Sequence, residues 1–202
     1  MTLWHGELPL ILASQSRARQ MLLANAGIGF ESIAAAIDER AIAQASGLSS
    51  PREIAALLAR QKSLFVSARR PAHYVVGADQ TLALGTRLFS KPASRQMAAE
   101  QLRELAGASH ELHSAVAVAR DGKIMFEEVM IARMTMRRLS ETEIEAYLHE
   151  AGKAVTSSVG AYQLEGLGVH LFERIQGDHF TILGLPLLPL LDFLRSEGLL
   201  AI

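Results

Sequence analysis

Apolar positions along this chain keep two rhythms, and their alternation lays out the elements. Residues 8–13, "LPLILA", form a continuous apolar run and read as a buried strand. Helical spacing follows over residues 17–26, with Gly27 placed to end the helix. Residues 30–35 read as a second strand. Ser50-Pro51-Arg52-Glu53 combines a capping box with proline at the first helical position, a strong helix start. That helix is expected to reach about residue 69, with an apolar stripe at Ile54, Leu57, Leu58 and Phe65 that leaves Lys62 and Arg69 aside. Residues 74–78 make the next strand, "TLALGTRLF" a short hairpin, and residues 94–105 a helix stopped by Gly107. "HSAVAVARDGKIMFEEVMIARMTM" reads as a long hairpin turning at Asp121-Gly122. Ser140-Glu141-Thr142-Glu143 is a second capping box, opening a helix to residue 149. Residues 160–168 are glycine-rich and irregular, residues 171–175 and 181–183 look like short strands, and residues 186–197 form the last helix.

Strands and helices intermix, and the long hairpin adds antiparallel pairing. The fold class is therefore α/β, with a mixed, strongly twisted sheet flanked by helices. No repeat, low-complexity segment or long linker divides the 202 residues, so residues 1–202 are expected to form one domain, or two lobes sharing one core. Half the residues are hydrophobic and the net charge is -1, which gives no global electrostatic case for nucleic acid or an anionic membrane as partner. Any phosphate site must be a local basic cluster. The absence of cysteine excludes a disulfide framework, a thiolate nucleophile and a cysteine zinc site. The N-terminus lacks a signal-like pattern, and the most apolar stretch, residues 181–194, is broken by Pro186, Pro189 and Asp192. A soluble, cytoplasmic protein is expected.

Asp79, in Ala78-Asp79-Gln80, is expected to end an apolar strand at the mouth of the sheet, with Lys91 returning to the same mouth twelve residues on. An acid and a base so placed suit a metal-bound polyphosphate: one holds the ion or activates water, the other neutralises phosphate. Ser14-Gln15-Ser16-Arg17-Ala18-Arg19 joins the first strand to the first helix, where hydroxyls, free N–H groups and a guanidinium can bind an anion. Asp38-Glu39 can share a divalent metal with Asp79, or form an ordinary acidic turn. Lys62 by itself reads as a solvated mid-helix lysine. His110 and His113, three apart on a strand, face opposite sides and read as structural or surface residues. Arg137-Arg138 faces solvent, and Met130, Met134 and Met136 read as packing. Glu165 lies among glycines, where a carboxylate can accept two N–H groups from a guanine edge.

Taken together, "LILASQSRAR", "AAAIDER", "LARQKS", "VVGADQT", "SKP", "LRELAGASHELHSAVAV", "LSETEIEAYL", "GAYQLEGLG" and "FERIQGDHFTILGLPL" fall in one order, and the chain resembles the Maf family of nucleotide pyrophosphatases. The resemblance implies an inosine-triphosphatase-like fold with two lobes around a cleft. It also implies hydrolysis of nucleoside triphosphates to monophosphate and diphosphate with a divalent metal such as Mg²⁺ or Mn²⁺, in cytoplasmic proteins that are often dimeric. Carried over, Asp79 matches the catalytic carboxylate, Glu39 the second acidic residue, Lys62 and Lys91 the two site lysines, and Ser14, Ser16 and Arg19 the phosphate loop. Asp79 and Glu39 are the expected metal ligands. Arg17 and Ala18 depart from the family's loop pattern, which usually writes proline and then arginine or tryptophan there. Ala18, Gln80 and Glu165 match the three positions linked to base choice. Gln and Glu at the latter two are similar to the branch acting on 7-methyl-GTP, which is therefore the expected favoured substrate. A nucleotide-binding regulator of division without turnover is the rival reading, and a phosphatase releasing inorganic phosphate is a third.

Overall fold

The computed structural model describes residues 3–202, which divide into two compact units. In chain order the elements begin β1 (Leu10–Leu12), α1 (Arg17–Asn25), β2 (Phe30–Ser32), α2 (Glu39–Ala45), α3 (Pro51–Ser67) and β3 (Val75–Leu84). Then come β4 (Arg87–Phe89), α4 (Arg95–Leu105), β5 (Ser109–Arg120), β6 (Lys123–Met136), α5 (Glu141–Ala151), β7 (Phe172–Gln176), α6 (His179–Ile182) and α7 (Leu187–Ser196). Among the described residues the strands form one mixed sheet, ordered β2-β1-β3-β5-β6-β7 with β4 paired to β3. The expected α/β class with a mixed sheet is what folds.

The first unit comprises the chain to Gln80, Ser114–Met130 and His179–Ile202. Its centre is β1, wholly buried and paired in parallel with β2 on one side and β3 on the other. Leu10, Leu12, Leu23, Val76, Val116 and Leu190 belong to one apolar cluster that joins β1, β3 and β5 to α1 and α7. Full burial of each such side chain contributes roughly 1.5–3 kcal/mol. The β5–β6 hairpin turns as expected: Asp121 (φ 51°) and Gly122 (φ 72°) both take left-handed backbone, the requirement of a type I′ turn. Asp121 Oδ1 also accepts the Ala72 N–H at 2.8 Å.

The second unit comprises Thr81–His113 and Ile131–Asp178. Ser94 caps α4, and the Ser140–Glu143 capping box opens α5, both as the spacing predicts. His110 and His113 are both buried and structural, each with its own partner. His113 Nε2 lies 3.2 Å from Glu111, and His110 Nε2 makes a 2.7 Å hydrogen bond with the Tyr162 hydroxyl. Phe172 packs against both rings of that second pair. Burial lowers the His110 pKa to about 4 and raises that of Tyr162 well above the usual phenol range. The neighbouring Ala161, at φ 61°, has its carbonyl held by the Tyr147 hydroxyl at 3.1 Å.

Three expectations need correction. The strand expected over residues 8–13 shrinks to Leu10–Leu12, because Pro9 has no N–H for a ladder. Residues 181–183 are not a strand: α6 ends there, and Gly184 at φ 89° turns the chain away. Asp79 does not end its strand, since β3 continues to Leu84 and pairs antiparallel with β4. An apolar run stopped by a carboxylate marks where the environment changes, and the backbone passes through. Among the described residues no helix is long and apolar enough to cross a membrane.

Candidate active site

In the order β2-β1-β3, β2 and β3 lie on opposite sides of a parallel neighbour, β1. A parallel sheet opens a crevice at the carboxyl ends of its strands where successive connections part in this way. The loop from Ser14 to Ser16 leaves β1 at that point. Ser14 Oγ accepts from the Ser16 N–H (3.2 Å) and from Arg19 Nη1 (3.3 Å), and the Ser14 carbonyl accepts from Ser32 Oγ (2.8 Å). Ser16 is the N-cap of α1 but its hydroxyl makes no capping bond, so it stays available beside the free N–H groups of the first turn.

Arg19 ties the loop to two other segments: Nε donates to Gly184 O (2.8 Å) and Nη1 to Ala78 O (2.7 Å). Burial lowers its pKa, against the raising pull of Asp79 and Glu39. Nε and Nη1 are thereby committed, and the N–H groups of Nη2 are the guanidinium donors left for an anion. Ala18 is half-buried against the apolar cluster of the first unit.

Asp79 and Lys62 form the charged centre. Lys62 Nζ lies 2.6 Å from Asp79 Oδ1 and 3.0 Å from Glu39 Oε1, bridging the two carboxylates. Lys62 is 7% and Asp79 6% exposed, which overturns both the solvated mid-helix reading and the loop-mouth reading. Gly77 explains the contact. A Cβ there would stand 2.2 Å from Ala59 O and 2.6 Å from Ser63 N, so only glycine lets α3 lie directly on β3. Burial raises the Asp79 pKa, and the nearby Lys62 and Arg19 cations oppose it. The result is a carboxylate more basic than a solvated one and held by a fixed cation. Asp38 plays a different part from Glu39: its Oδ1 accepts the Ala41 N–H at 2.9 Å and caps α2.

Gln80, next along β3, leaves the opposite face of the strand. Its Nε2 donates to Ser114 Oγ (2.8 Å), Ile182 O (3.0 Å) and Thr181 O (3.1 Å). The first unit thus brings together Ser14, Arg19, Glu39, Lys62 and Asp79, with Gln80 adjoining. Lys91 and Glu165 belong to the second unit, where both are exposed, Lys91 just beyond β4 and Glu165 in a turn. Sequence reasoning missed Gly77, Ser114, Thr181, Ile182 and Gly184. Two of them left a signal: a serine heads the apolar run "SAVAV", and a glycine interrupts "VVGAD".

The Maf-like protein family matches residues 9–197. A nucleoside triphosphate pyrophosphatase of Bradyrhizobium diazoefficiens is 70% identical over 202 residues, covering all of both chains. One of Rhodopseudomonas palustris is likewise 70% identical over the full length of both. A 7-methyl-GTP pyrophosphatase of Rhizobium etli is 51% identical over 192 residues, 94% of this chain and 96% of the other. A match of this extent shows that the chain belongs to the Maf-like protein family.

Proposed function

We propose that this protein is a nucleoside triphosphate pyrophosphatase, cleaving the α–β phosphoanhydride to give monophosphate and diphosphate. The observation that carries the reading is the buried Lys62 ammonium bridging Asp79 and Glu39 beside the Ser14–Arg19 loop. In the mechanism, Arg19 and the loop N–H groups hold phosphate oxygens, and Asp79, made more basic by burial, takes the proton of the attacking water. Lys62 keeps Asp79 in place and meets charge that grows on the phosphates. The family resemblance extends the proposal to Lys91 as a second cation for the leaving diphosphate, to the cytoplasm as compartment and to a homodimer as working assembly.

Asp79 and Glu39 offer hard oxygen donors that fit Mg²⁺ or Mn²⁺. Among the described residues no group of three or more His, Cys, Asp or Glu gathers to hold a metal, so the rest of the shell would come from phosphate oxygens and water. When bound, such a cation supplies charge neutralisation at the phosphates.

The substrate proposed as favoured is 7-methyl-GTP, supported by Gln80, by Glu165 and by the Rhizobium etli relative. Glu165 would accept the exocyclic amine and share the N1–H with a second acceptor while balancing the positive charge of the base. Glu165→Gln is expected to cut the preference for 7-methyl-GTP over dTTP by about 1–3 kcal/mol. The test is turnover of a triphosphate panel with Mg²⁺ or Mn²⁺ and identification of the products. Diphosphate with monophosphate is the expected outcome. Release of inorganic phosphate, or tight binding without turnover, overturns the reading, and faster hydrolysis of dTTP than of 7-methyl-GTP overturns the base assignment alone.

A further inference from the structure

We propose that Ser114, with the main-chain carbonyls of Thr181 and Ile182, fixes the Gln80 amide so that it offers a nucleobase an acceptor and never a donor. Gln80 thereby selects bases with a ring N–H on their Watson–Crick edge. The inference rests on the reading that Gln80 meets the base, and it goes further by assigning the polarity of that contact and the residue that sets it.

Three oxygens surround Gln80 Nε2: Ser114 Oγ at 2.8 Å, Ile182 O at 3.0 Å and Thr181 O at 3.1 Å. The two carbonyls can only accept. Ser114 Oγ could in principle donate, but its one proton is committed, because the hydroxyl donates to Thr181 O at 2.6 Å. Toward Gln80 it too is an acceptor. All three neighbours therefore demand a donor, and only the NH₂ end of the amide supplies one. A flipped amide would set Oε1 against three acceptors, beside Ser114 and Thr181, which are both fully buried. Thr181 O would keep the Gly184 N–H (3.1 Å) and the Ser114 hydroxyl, but the flip would face oxygen lone pairs with no proton between them and take the amide donor from Ile182 O. The neighbours' chemistry thus decides which way the amide points.

The outward group is then Oε1. Gly184 lies beside the amide: a Cβ there would make ordinary contact, 3.7 Å from Gln80 Cδ and 3.4 Å from the Arg19 guanidinium. Guanine and hypoxanthine carry N1–H, and uracil and thymine carry N3–H. All of these give Oε1 a donor. Adenine N1 and cytosine N3 are lone pairs and would face it acceptor to acceptor. Selection here is by unpaired polar groups, the route by which a fixed polar site rejects an analogue most strongly.

Two substrate pairs isolate the contact: inosine triphosphate against ATP, and GTP against 1-methyl-GTP, in which the N1 hydrogen is replaced. Each pair is read as a ratio of kcat/KM on one enzyme preparation, so any misfolded fraction cancels. Wild type is expected to favour the N–H member of each pair by about tenfold or more, the scale of a lost hydrogen bond with a buried partner left unpaired. Gln80→Met, similar in size but without the acceptor, should lower both ratios several-fold, leaving only the share of the N–H that Glu165 takes. Ser114→Ala should lower both roughly threefold by loosening the amide, and Ser114→Thr, which keeps the hydroxyl, should restore them. Wild-type ratios near one overturn the acceptor assignment. Clear wild-type ratios that Gln80→Met leaves unchanged place the base contact elsewhere and overturn the reading of Gln80. Ratios that fall in Gln80→Met but not in Ser114→Ala overturn the part given to Ser114.

Discussion

In the first unit two full charges, Lys62 and Asp79, meet at 2.6 Å with almost no exposure, whereas in the second a buried 2.7 Å bond joins two groups that burial keeps neutral, His110 and Tyr162. Both pairs bury polar atoms at similar depth. The neutral pair costs little, because neither partner gives up the solvation of a charge. The ionic pair forfeits several kcal/mol of solvation per ion, and replacing such pairs with apolar side chains is often neutral or stabilising. Stability therefore accounts for the second pair and not for the first. Under the proposed mechanism the buried charge pair beside the Ser14–Arg19 loop supplies a fixed cation and a basic carboxylate without waiting for solvent to rearrange.

The sharpest way to break the comparison is Lys62→Met. It leaves Asp79 buried with only Arg19 nearby, and a loss of about 3–5 kcal/mol in urea unfolding is expected, as for other half-broken buried pairs. A loss under about 1 kcal/mol would show that the pair is not strongly coupled to the fold. Next comes Asp79→Asn, which keeps size and leaves Lys62 its Glu39 partner at 3.0 Å. Turnover should fall roughly 100-fold or more, with a smaller stability change than Lys62→Met. Near-normal turnover by the folded variant would remove Asp79 from the mechanism. The neutral pair is probed by pH. The folded pKa of His110, lowered to about 4, lies below its ordinary 6.5, so its neutral form is the one the fold favours. Its contribution is present in full above 6.5, is lost progressively as pH falls toward 4, and changes no further below that. One pH unit below 6.5 the difference between wild type and His110→Gln should have narrowed by about 1.4 kcal/mol, measured by paired unfolding curves. Parallel curves across that window would mean that His110 titrates normally.

The contrast also explains what the sequence could reveal. The N-cap at Ser50, the capping box at Ser140, the Asp121-Gly122 turn and the serine-rich loop after β1 were legible, because each depends on side chains adjacent in the chain; the return bond from Glu53 expected at Ser50 is not made. The identities of Asp79, Glu39 and Lys62 were legible only through the ordered set of family motifs. Their burial was not, because it depends on α3 lying against β3, a contact seventeen residues apart in sequence between Lys62 and Asp79. For the same reason the helical stripe failed to include Lys62: a face that covers the site and a face that covers apolar core look alike only in three dimensions. Residues 181–183 misled through β-branched composition, since Gly184 and the bond from Arg19 settle that segment. Ser114 was the hardest to find, because its role lies in which proton it has already given away.

Gly77 carries one more consequence. Because a single methyl group there cannot be fitted against Ala59 and Ser63, the separation of Lys62 from Asp79 is fixed by the thickness of a backbone contact and not by two flexible side chains settling on each other. Widening that gap means displacing a helix of 17 residues as a body. Random substitutions around the site can therefore alter its charges one at a time, but they have no gradual way to alter its spacing.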